Sequence, residues 1–298
     1  MVKNKNKVKD SAGNRIFDAV NILFMVLFAA LILYPFLNIL AISLSGVSEG
    51  RLNTVTILPK EITASAYSQI IANMAIWRSY ANTFFVALVG AVITVILTAL
   101  AAYPLAFCDF PGKKAYSFFI VITMWFSAGI IPAYMVVRTL GLLDSLWSLI
   151  IPGALSAYNV IVIRTTFQGL PKSLIEAAKI DGASDFRILF RIVMPLAKAG
   201  LAVVALWTVV GHWNNYTGPL LYISSTEKFT LQQILNKIVL SAQGSDIGIN
   251  AGTADGVAAI GTQVKYAALM FSMLPVMVAF PFVQKYFVQG ALVGSVKE

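Results

Sequence analysis

Hydrophobic residues along the chain form six long stretches that contain no Asp, Glu, Lys or Arg. These stretches run over 19–48, 79–108, 115–137, 145–163, 199–226 and 266–284. A helix that crosses a bilayer needs about 20 mostly apolar residues. The pattern therefore predicts an all-α membrane protein with six transmembrane helices. Their expected cores are Ala19–Leu44, Asn82–Phe107, Tyr116–Val137, Leu146–Val162, Gly200–Tyr222 and Ala267–Val283.

The positions of Lys and Arg between these stretches predict the orientation in the membrane. If the N-terminus is cytoplasmic, 15 of the 22 basic residues fall in cytoplasmic segments, as the positive-inside rule requires. Both termini are then cytoplasmic, in tails over 1–18 and 288–298 that flank a membrane domain over 19–287. Within that domain, 164–198 is expected to be a cytoplasmic loop and 223–265 an extracytoplasmic loop.

The basic N-terminus, KNKNKVKD, followed by an apolar stretch, has the general pattern of a cleavable signal peptide. The apolar core of a signal peptide has about 7–15 residues, whereas the uncharged stretch here has about 30. An uncleaved first transmembrane helix is therefore the preferred interpretation.

The composition excludes several classes of function. Hydrophobic residues make up 58% of the chain and charged residues 12%, against about 25% charged in soluble domains. The basic residues that give the net charge of +9 lie between apolar blocks. They therefore do not form the clustered basic surface that binds nucleic acid. One cysteine, Cys108, and one histidine, His212, exclude a disulfide framework and do not support a metal site. A membrane enzyme would need clustered acid–base or metal-binding residues, which this sequence does not supply.

Proline and glycine interrupt most of the predicted spans, at Pro35, Gly90, Pro104, Gly129, Pro132, Pro152, Gly153, Gly218, Pro219, Pro275 and Pro281. Such residues are tolerated where neighbouring helices or a water-lined cavity satisfy the freed backbone groups. In transporters, unwound positions of this kind often contact solute. A simple kink in a packed bundle is the alternative for each of them.

Apart from His212, no ionisable side chain other than tyrosine or cysteine lies within the spans. Ion-coupled carriers usually need buried ionisable residues in their pathway, so a self-sufficient ion-driven carrier is disfavoured. The sequence also has no GxxxxGK[ST] nucleotide-binding loop. If the protein transports solute actively, the energy is expected to come from another subunit.

Residues 176–200, EAAKIDGASDFRILFRIVMPLAKAG, form a charged segment in this apolar chain. Pro171 suits the first turn of a helix, and Gly182 suits a left-handed C-cap. Ser184 can cap a second helix, on which Arg187 and Arg191 share a face. The pattern predicts a helix–glycine–helix elbow on the cytoplasmic side, which either docks a partner or lies on lipid headgroups.

Residues 167–200 resemble the cytoplasmic EAA loop of permeases in binding-protein-dependent ABC importers. The matching positions are Glu176, Ala177, Ala178, Gly182, Ile192 and Pro195, with Met194 where leucine is usual. Sugar-type members are also resembled at Arg164, Phe167, Leu170, Pro171, the DGAS run, residues 213–222 and the C-terminal PFVQKYFVQGALVGSVKE. This resemblance implies the six-helix fold of type I importer permeases, with a cytoplasmic coupling helix.

In that family the EAA elbow docks on an ATPase subunit. The resemblance implies that ATPase coupling involves Glu176, Ala177, Ala178, Asp181, Gly182 and Arg187. It also implies a second permease, two ATP-binding cassette subunits that carry ATP and Mg, and an extracytoplasmic solute-binding protein. This chain itself would hold no cofactor or catalytic site and would lie in the lipid of the bacterial cytoplasmic membrane.

An oligosaccharide is the expected solute, because the resemblance is closest to importers of larger saccharides, including acidic ones from alginate or pectin. Aromatic rings stack on sugar faces, and amides bond to sugar hydroxyls. These residue types cluster at Trp213, Asn214, Asn215, Tyr216 and Tyr222. Membrane-interface anchoring is the alternative role for this cluster, and a phosphate or amino-acid importer is the alternative class.

The predicted extracytoplasmic loop, 223–265, is rich in Gly, Ser, Asn and Asp near its centre. In maltose-type relatives the corresponding loop reaches the binding protein. The resemblance therefore implies binding-protein contacts at Gly244, Asp246, Asn250 and Gly252, and an ordinary solvated loop is the alternative.

Overall fold

A computed structural model describes residues 12–46, 52, 54–241 and 254–295. Throughout those residues the regular structure is helical, apart from one isolated bridge between Ser45 and Ile62. The predicted all-α fold is therefore confirmed. The helices are α1 Ala12–Ser43, α2 Ser65–Ala72, α3 Met74–Phe107, α4 Lys113–Ile122, α5 Ile130–Thr139, α6 Trp147–Ile150, α7 Ala157–Gln168, α8 Lys172–Ile180, α9 Asp185–Leu196, α10 Lys198–Trp213, α11 Thr217–Tyr222, α12 Leu231–Ser241 and α13 Ala254–Ser295.

Three of the predicted spans are single helices that are long and apolar enough to cross a membrane. Among the described residues these helices cover Gly13–Ser43, Met74–Phe107 and Gly261–Pro281. All three start earlier than the expected cores, which begin at Ala19, Asn82 and Ala267. Helix α13 begins at Ala254, inside the stretch that was expected to be an extracytoplasmic loop.

The other three predicted spans are each built from two helices. The stretch 116–137 consists of α4 and α5, 146–162 of α6 and α7, and 200–222 of α10 and α11. Gly129, with a φ of 86°, lies at the break between α4 and α5, and Pro152, which lacks a backbone N–H, lies between α6 and α7. Asn214, Asn215 and Tyr216 separate α10 from α11. Hydropathy identified the apolar stretches correctly, and two of the three breaks contain residues, Gly129 and Pro152, that the sequence marks as interruptions.

The predicted loop 223–265 is also more ordered at its start than expected. Helix α12 occupies Leu231–Ser241, and in it Leu231, Ile234 and Leu235 follow the spacing of one helix face. Leu231 and Leu235 are buried, so this face packs into the protein and stabilises the helix.

The chain divides into two compact units. The first contains 1–70 and 238–271, and the second contains 71–237 and 272–298. In the first unit, Ala41, Ile42, Leu52 and Val55 form a small core that Tyr266 covers. Every side chain from 13 to 37 in α1 is exposed, which is the pattern of a helix that faces lipid or a partner helix.

The second unit is built around α3, which packs on α7 and α10. Small residues on α3, namely Ala99, Ala102 and Ala106, let the neighbouring helices approach closely. Phe167 and Val204 fill the space opposite and are 0% exposed. This close packing makes α3 the central element of the unit and connects the two sites described below.

Candidate functional site

The predicted elbow is a helix–turn–helix over Lys172–Leu196, made of α8 and α9. Helix α8 ends in a Schellman motif, because Ala183 N donates to Ala178 O at 3.0 Å and Gly182 N donates to Lys179 O at 3.1 Å. Gly182 has a φ of 75°, which favours glycine. Ser184 Oγ then accepts from Arg187 N at 3.4 Å and caps α9. The sequence-based predictions of both caps are confirmed.

The elbow has one buried face and one exposed face. The buried face contributes Ile175, Ala178, Ile188, Leu189 and Val193 to the core of the second unit. The exposed face carries five of the six residues predicted to couple to an ATPase: Glu176, Ala177, Asp181, Gly182 and Arg187. The sixth, Ala178, is only 8% exposed, so it lies in the core and not on the open face.

Two large apolar side chains stand on the exposed face beside these charges. Ile180 is 86% exposed and Phe186 is 69% exposed. Exposed apolar residues flanked by charged groups are typical of a protein–protein contact surface. Neither residue was among those predicted to couple to the ATPase, although both lie within the segment that resembles the EAA loop.

Helices α9 and α10 meet at an angle of 84°. A π-helical segment, Leu189–Val193, precedes the bend. Pro195 lies next to the bend and removes one helical hydrogen bond. Helix α10 is apolar and α9 carries two arginines, so the polar elbow turns sharply away from an apolar helix.

The elbow is tied to α3 by a hydrogen bond that the sequence did not reveal. Tyr103 OH donates to Asp185 Oδ1 at 2.9 Å, and Lys179 Nζ lies 3.8 Å from the same oxygen. Tyr103 lies near the end of an apolar helix, where sequence alone gives no reason to assign it a partner. The bond means that a displacement of α9 acts directly on α3.

A second candidate site is an open cavity of about 570 Å³ in the second unit, a size within the usual range for small-molecule sites. It lies among the α6–α7 connection, α7, α10 and α11. The polar and aromatic residues that line it are Ser148, Tyr158, Asn159, Trp207, Thr208, His212, Asn215 and Tyr222.

An aromatic pair forms part of the cavity wall. The rings of Tyr158 and Trp207 lie 5.5 Å apart with an interplanar angle of 39°. Asn159 and Asn215 bring amide groups to the same wall. Aromatic faces beside amides and hydroxyls can stack on the apolar face of a sugar ring and bond to its hydroxyls.

Two of the five predicted path residues, Asn215 and Tyr222, line this cavity. Trp213 is instead buried beside Tyr80 and Phe84, whose ring centroids lie 6.1 and 5.2 Å from its own.

The remaining two predicted path residues are engaged elsewhere in the second unit. Tyr216 OH bonds to Asn236 Oδ1 at 3.1 Å, and Asn214 Nδ2 donates to Val210 O at 3.0 Å on its own helix. The structure therefore separates a cluster that is contiguous in sequence.

Four of the cavity residues that the sequence did not predict share one face of α10, and Asn215, which it did predict, continues that face. Trp207, Thr208, Gly211, His212 and Asn215 follow the i, i+1, i+4, i+5, i+8 spacing of a helix face. That periodicity, which begins at Trp207, six residues before the WNNY run, was the available signal.

His212 reaches the cavity across a close contact with α3. A Cβ atom placed on Gly90 would lie 2.6 Å from His212 Nε2, so any larger residue at Gly90 would displace the imidazole. Gly90 is therefore needed for close helix packing and for the shape of the cavity wall.

The predicted binding-protein contacts, Gly244, Asp246, Asn250 and Gly252, lie outside the described residues. Within the described part of the chain, no group of three His, Cys, Asp or Glu side chains is placed to hold a metal ion.

Residues 1–293 match the family described as the inner membrane component of binding-protein-dependent transport systems. The chain therefore belongs to this family of multi-pass membrane proteins. It is 37% identical over 284 residues to the polygalacturonan/rhamnogalacturonan transport system permease protein YtcP of Bacillus subtilis (strain 168), with 95% of this chain and 99% of the relative covered. It is also 37% identical over 289 residues to protein LplC of the same organism, with 97% of each chain covered.

A solved structure shows the same fold. The match is to a chain in the crystal structure of a bacterial ABC transporter involved in the import of the acidic polysaccharide alginate. The TM-score is 0.84 at 35% identity, and the match covers 94% of this chain and 100% of the other. The type I importer permease fold expected from the sequence is confirmed.

Proposed function

We propose that this chain is the membrane subunit of an ATP-driven oligosaccharide importer, and that acidic oligosaccharides of the pectin or alginate type are its solutes. The observation that carries the proposal is the cavity lined by Tyr158, Trp207, Asn159 and Asn215. Its aromatic and amide groups supply the two kinds of contact that saccharides need.

An acidic saccharide suits this cavity because of the side chains that are present. None of the described residues that line it is Asp or Glu, so a uronate carboxylate entering the cavity meets no like charge there. Asn159, Asn215 and His212 can donate hydrogen bonds to such a carboxylate. One relative is named for polygalacturonan/rhamnogalacturonan transport, and the solved structure is of an alginate importer. Both names point to an acidic saccharide as the solute.

The elbow is proposed to receive the driving force. ATP and Mg are bound and ATP is hydrolysed by two partner ATPase subunits, and this chain contributes no catalytic group. The exposed Ile180 and Phe186, with Glu176, Asp181 and Arg187 around them, form the surface on which one ATPase docks. Through Tyr103 and Asp185 the motion of the elbow reaches α3, and α3 packs on α10, which forms part of the cavity wall.

A second permease of the same family completes the translocation path, and an extracytoplasmic solute-binding protein delivers the saccharide. Both termini of this chain are proposed to be cytoplasmic, with the elbow on the same side. The segment after α11 is then extracytoplasmic and faces the binding protein.

The test is uptake of a saturated oligogalacturonide by the complete complex in proteoliposomes, with ATP inside and the binding protein outside. Accumulation that depends on both ATP and the binding protein is expected. Trp207→Ala should raise the KM for uptake about tenfold, because ring stacking contributes on the order of 1–2 kcal/mol.

Trp125→Ala is the matched control, because Trp125 is 82% exposed and does not line the cavity. It should leave KM unchanged. An unchanged KM in Trp207→Ala would refute the cavity as the solute path. Uptake of a neutral oligosaccharide in preference to the galacturonide would refute the acidic solute.

A further inference from the structure

The carboxylate of Asp144, in the connection between α5 and α6, accepts hydrogen bonds from three residues that follow α11. Oδ1 accepts from Ser224 N at 3.0 Å and from Ser225 N at 2.9 Å. Oδ2 accepts from Ser225 Oγ and from Lys228 Nζ, the latter at 3.0 Å. Asp144, Ser224, Ser225 and Lys228 are called the clasp below.

The backbone of Asp144 is also committed to this contact. Its φ is 53°, in the left-handed region that an L-residue enters only at a cost in conformational energy. In this conformation its N–H donates to Tyr222 O at 2.7 Å, and Lys228 Nζ donates to its carbonyl oxygen. The connection between α5 and α6 is therefore held to the residues around the end of α11 by backbone and side chain together.

The clasp adjoins the solute cavity, because Tyr222 lines that cavity. Its ring also stacks on Tyr134 of α5, with centroids 6.3 Å apart and an interplanar angle of 19°. Thus the residue whose carbonyl bonds to Asp144 is itself part of the cavity wall.

The chain beyond the clasp is fixed to α3 over the next few residues. Asn82 Nδ2 donates to Glu227 O at 2.9 Å and to Phe229 O at 3.0 Å, and Leu231 N donates to Thr83 Oγ1 at 2.9 Å. Ile223 and Phe229 are buried in an apolar cluster with Leu149 and Ile150. The segment 222–231 is therefore a rigid extension of the cavity wall and not a loose loop.

We propose that Asp144 is a positioning residue for transport, which makes the whole segment 222–231, including Tyr222 in the cavity wall, move as one body. The proposal rests on the function proposed above, in which the solute-binding protein meets this end of the chain. A displacement imposed on the segment by the docked binding protein is then delivered to the cavity wall, instead of being absorbed by a flexible connection.

The clasp differs from an exposed ion pair in the number of hydrogen bonds that its carboxylate accepts. A surface salt bridge contributes little, and the nearby pair of Arg78 and Glu227 is of that kind, with atoms 4.0 Å apart and side chains 60% and 80% exposed. Asp144 instead accepts two backbone N–H bonds and one hydroxyl bond in addition to Lys228, and charge-assisted bonds are the stronger ones.

The experiment compares Asp144→Asn with Glu227→Gln in the complete complex in nanodiscs. Both replace an acid with its amide in neighbouring parts of the structure, but only the first changes the clasp. The measurement is ATP hydrolysis without and with the saccharide-loaded binding protein. Asp144→Asn should keep the basal rate and lose about tenfold in stimulation, since bonds to a charged acceptor are lost. Glu227→Gln should match the wild type in both.

A double variant tests whether the clasp acts as a unit. Ser225→Ala added to Asp144→Asn should lower stimulation no further, because the two residues share one interaction. Full stimulation in Asp144→Asn would overturn the proposal. An equal fall in basal and stimulated rates would also overturn it, because that result shows a merely structural role.

Hydrogen–deuterium exchange gives a readout that is independent of the solute. In the wild type the amides of Ser224 and Ser225 should be protected, and Asp144→Asn should speed exchange from Tyr222 to Ser225 while the elbow stays unchanged. Unchanged exchange at these residues would refute the clasp whatever the solute is. Conversely, a wild-type complex that takes up no oligogalacturonide would refute the solute assignment and leave the exchange result to decide the clasp.

Discussion

The two ends of α3 hold opposite kinds of surface. At one end Asn82 and Thr83 bond to the segment 222–231, whose polar groups and apolar side chains are largely engaged within the chain. At the other end Tyr103 bonds to Asp185 of the elbow. The elbow nevertheless leaves Ile180 and Phe186 open to their surroundings.

The two ends are far enough apart to lie at opposite surfaces of a membrane. From Thr83 to Tyr103 the helix rises about 30 Å at 1.5 Å per residue, which is the thickness of the hydrocarbon core of a bilayer. Helix α3 is therefore long enough to reach from one surface of a bilayer to the other. The clasp end bonds to its own chain, whereas the elbow end leaves large apolar side chains exposed, as expected for the docking surface proposed above.

The largest expected effect comes from Gly182→Val, which attacks the elbow alone. Gly182 adopts a φ of 75°, and a β-branched residue there is strained by about 1–2 kcal/mol or more. The turn between α8 and α9 should rearrange, so uptake should fall at least tenfold while membrane insertion persists. Uptake in proteoliposomes and the amount of chain in the membrane are the two measurements.

Gly169→Ala is the control for this change. Gly169 lies just before the elbow with an ordinary φ of −75°, and an added Cβ would approach no atom closer than 3.4 Å. It should transport normally. Normal uptake by Gly182→Val would contradict the coupling role of the elbow.

The next effect concerns docking on the exposed face. Ile180→Asp places a charge where an apolar side chain is 86% exposed, and desolvation of that charge in an interface should weaken assembly with the ATPase about tenfold or more. Co-purification of the ATPase with tagged chain measures it. Thr226→Asp puts the same charge at the clasp end and should leave ATPase assembly intact. If both variants lose the ATPase equally, the contrast between the two ends is wrong.

A smaller effect is expected from Tyr103→Phe, which removes one hydroxyl. The lost bond to Asp185 is partly exposed, so its contribution is about 1 kcal/mol, and the saccharide transported per ATP hydrolysed should fall a few-fold. Assembly should be unaffected because the ring remains in place. Loss of ATPase binding, with an unchanged transport ratio, would show that the tyrosine shapes the docking surface instead.

The smallest effect concerns pH: the stability that the Asp144 carboxylate contributes should not change between neutral and mildly acidic conditions. The hydroxyl and N–H of Ser225, followed by Lys228 and the N–H of Ser224, lower the pKa of Asp144 well below the ordinary value of an aspartate. A lowered folded-state pKa contributes stability above the unfolded pKa, and that stability is lost only as the pH falls through the folded value. The difference in unfolding temperature between wild type and Asp144→Asn should therefore stay constant from about pH 8 to about pH 5. A difference that shrinks on acidification within that range would show that the carboxyl is not held as described.

The sequence predicted the elbow well because local chemistry determines it. Gly182 and Ser184 form the caps that their residue types indicate, and short-range hydrogen bonds suffice to place them. Hydropathy likewise located the apolar stretches. The sequence also marked Gly129 and Pro152 as interruptions, with a kink as the alternative, and the structure shows that both lie at breaks between helices.

The cavity and the clasp could be predicted only in part, because each depends on contacts between distant parts of the chain. Trp213 has the composition of a sugar-contacting residue, yet α3 supplies the aromatic rings that bury it. Asp144 and Ser225 are 81 residues apart, and nothing in either local sequence indicates the other. Trp207 and His212 were recognisable only by their helical spacing with Asn215.

The contrast between the elbow end and the clasp end is tested most directly by asking which of them contacts the ATPase. In a Cys108→Ser background, Ile180→Cys and Thr226→Cys each provide one thiol for a photoactivatable cross-linker in the assembled complex. We expect the ATPase to be captured from position 180 and not from position 226. The solute-binding protein should be captured from position 226 instead. Capture of the ATPase from position 226, or from neither position in an intact complex, would contradict this contrast.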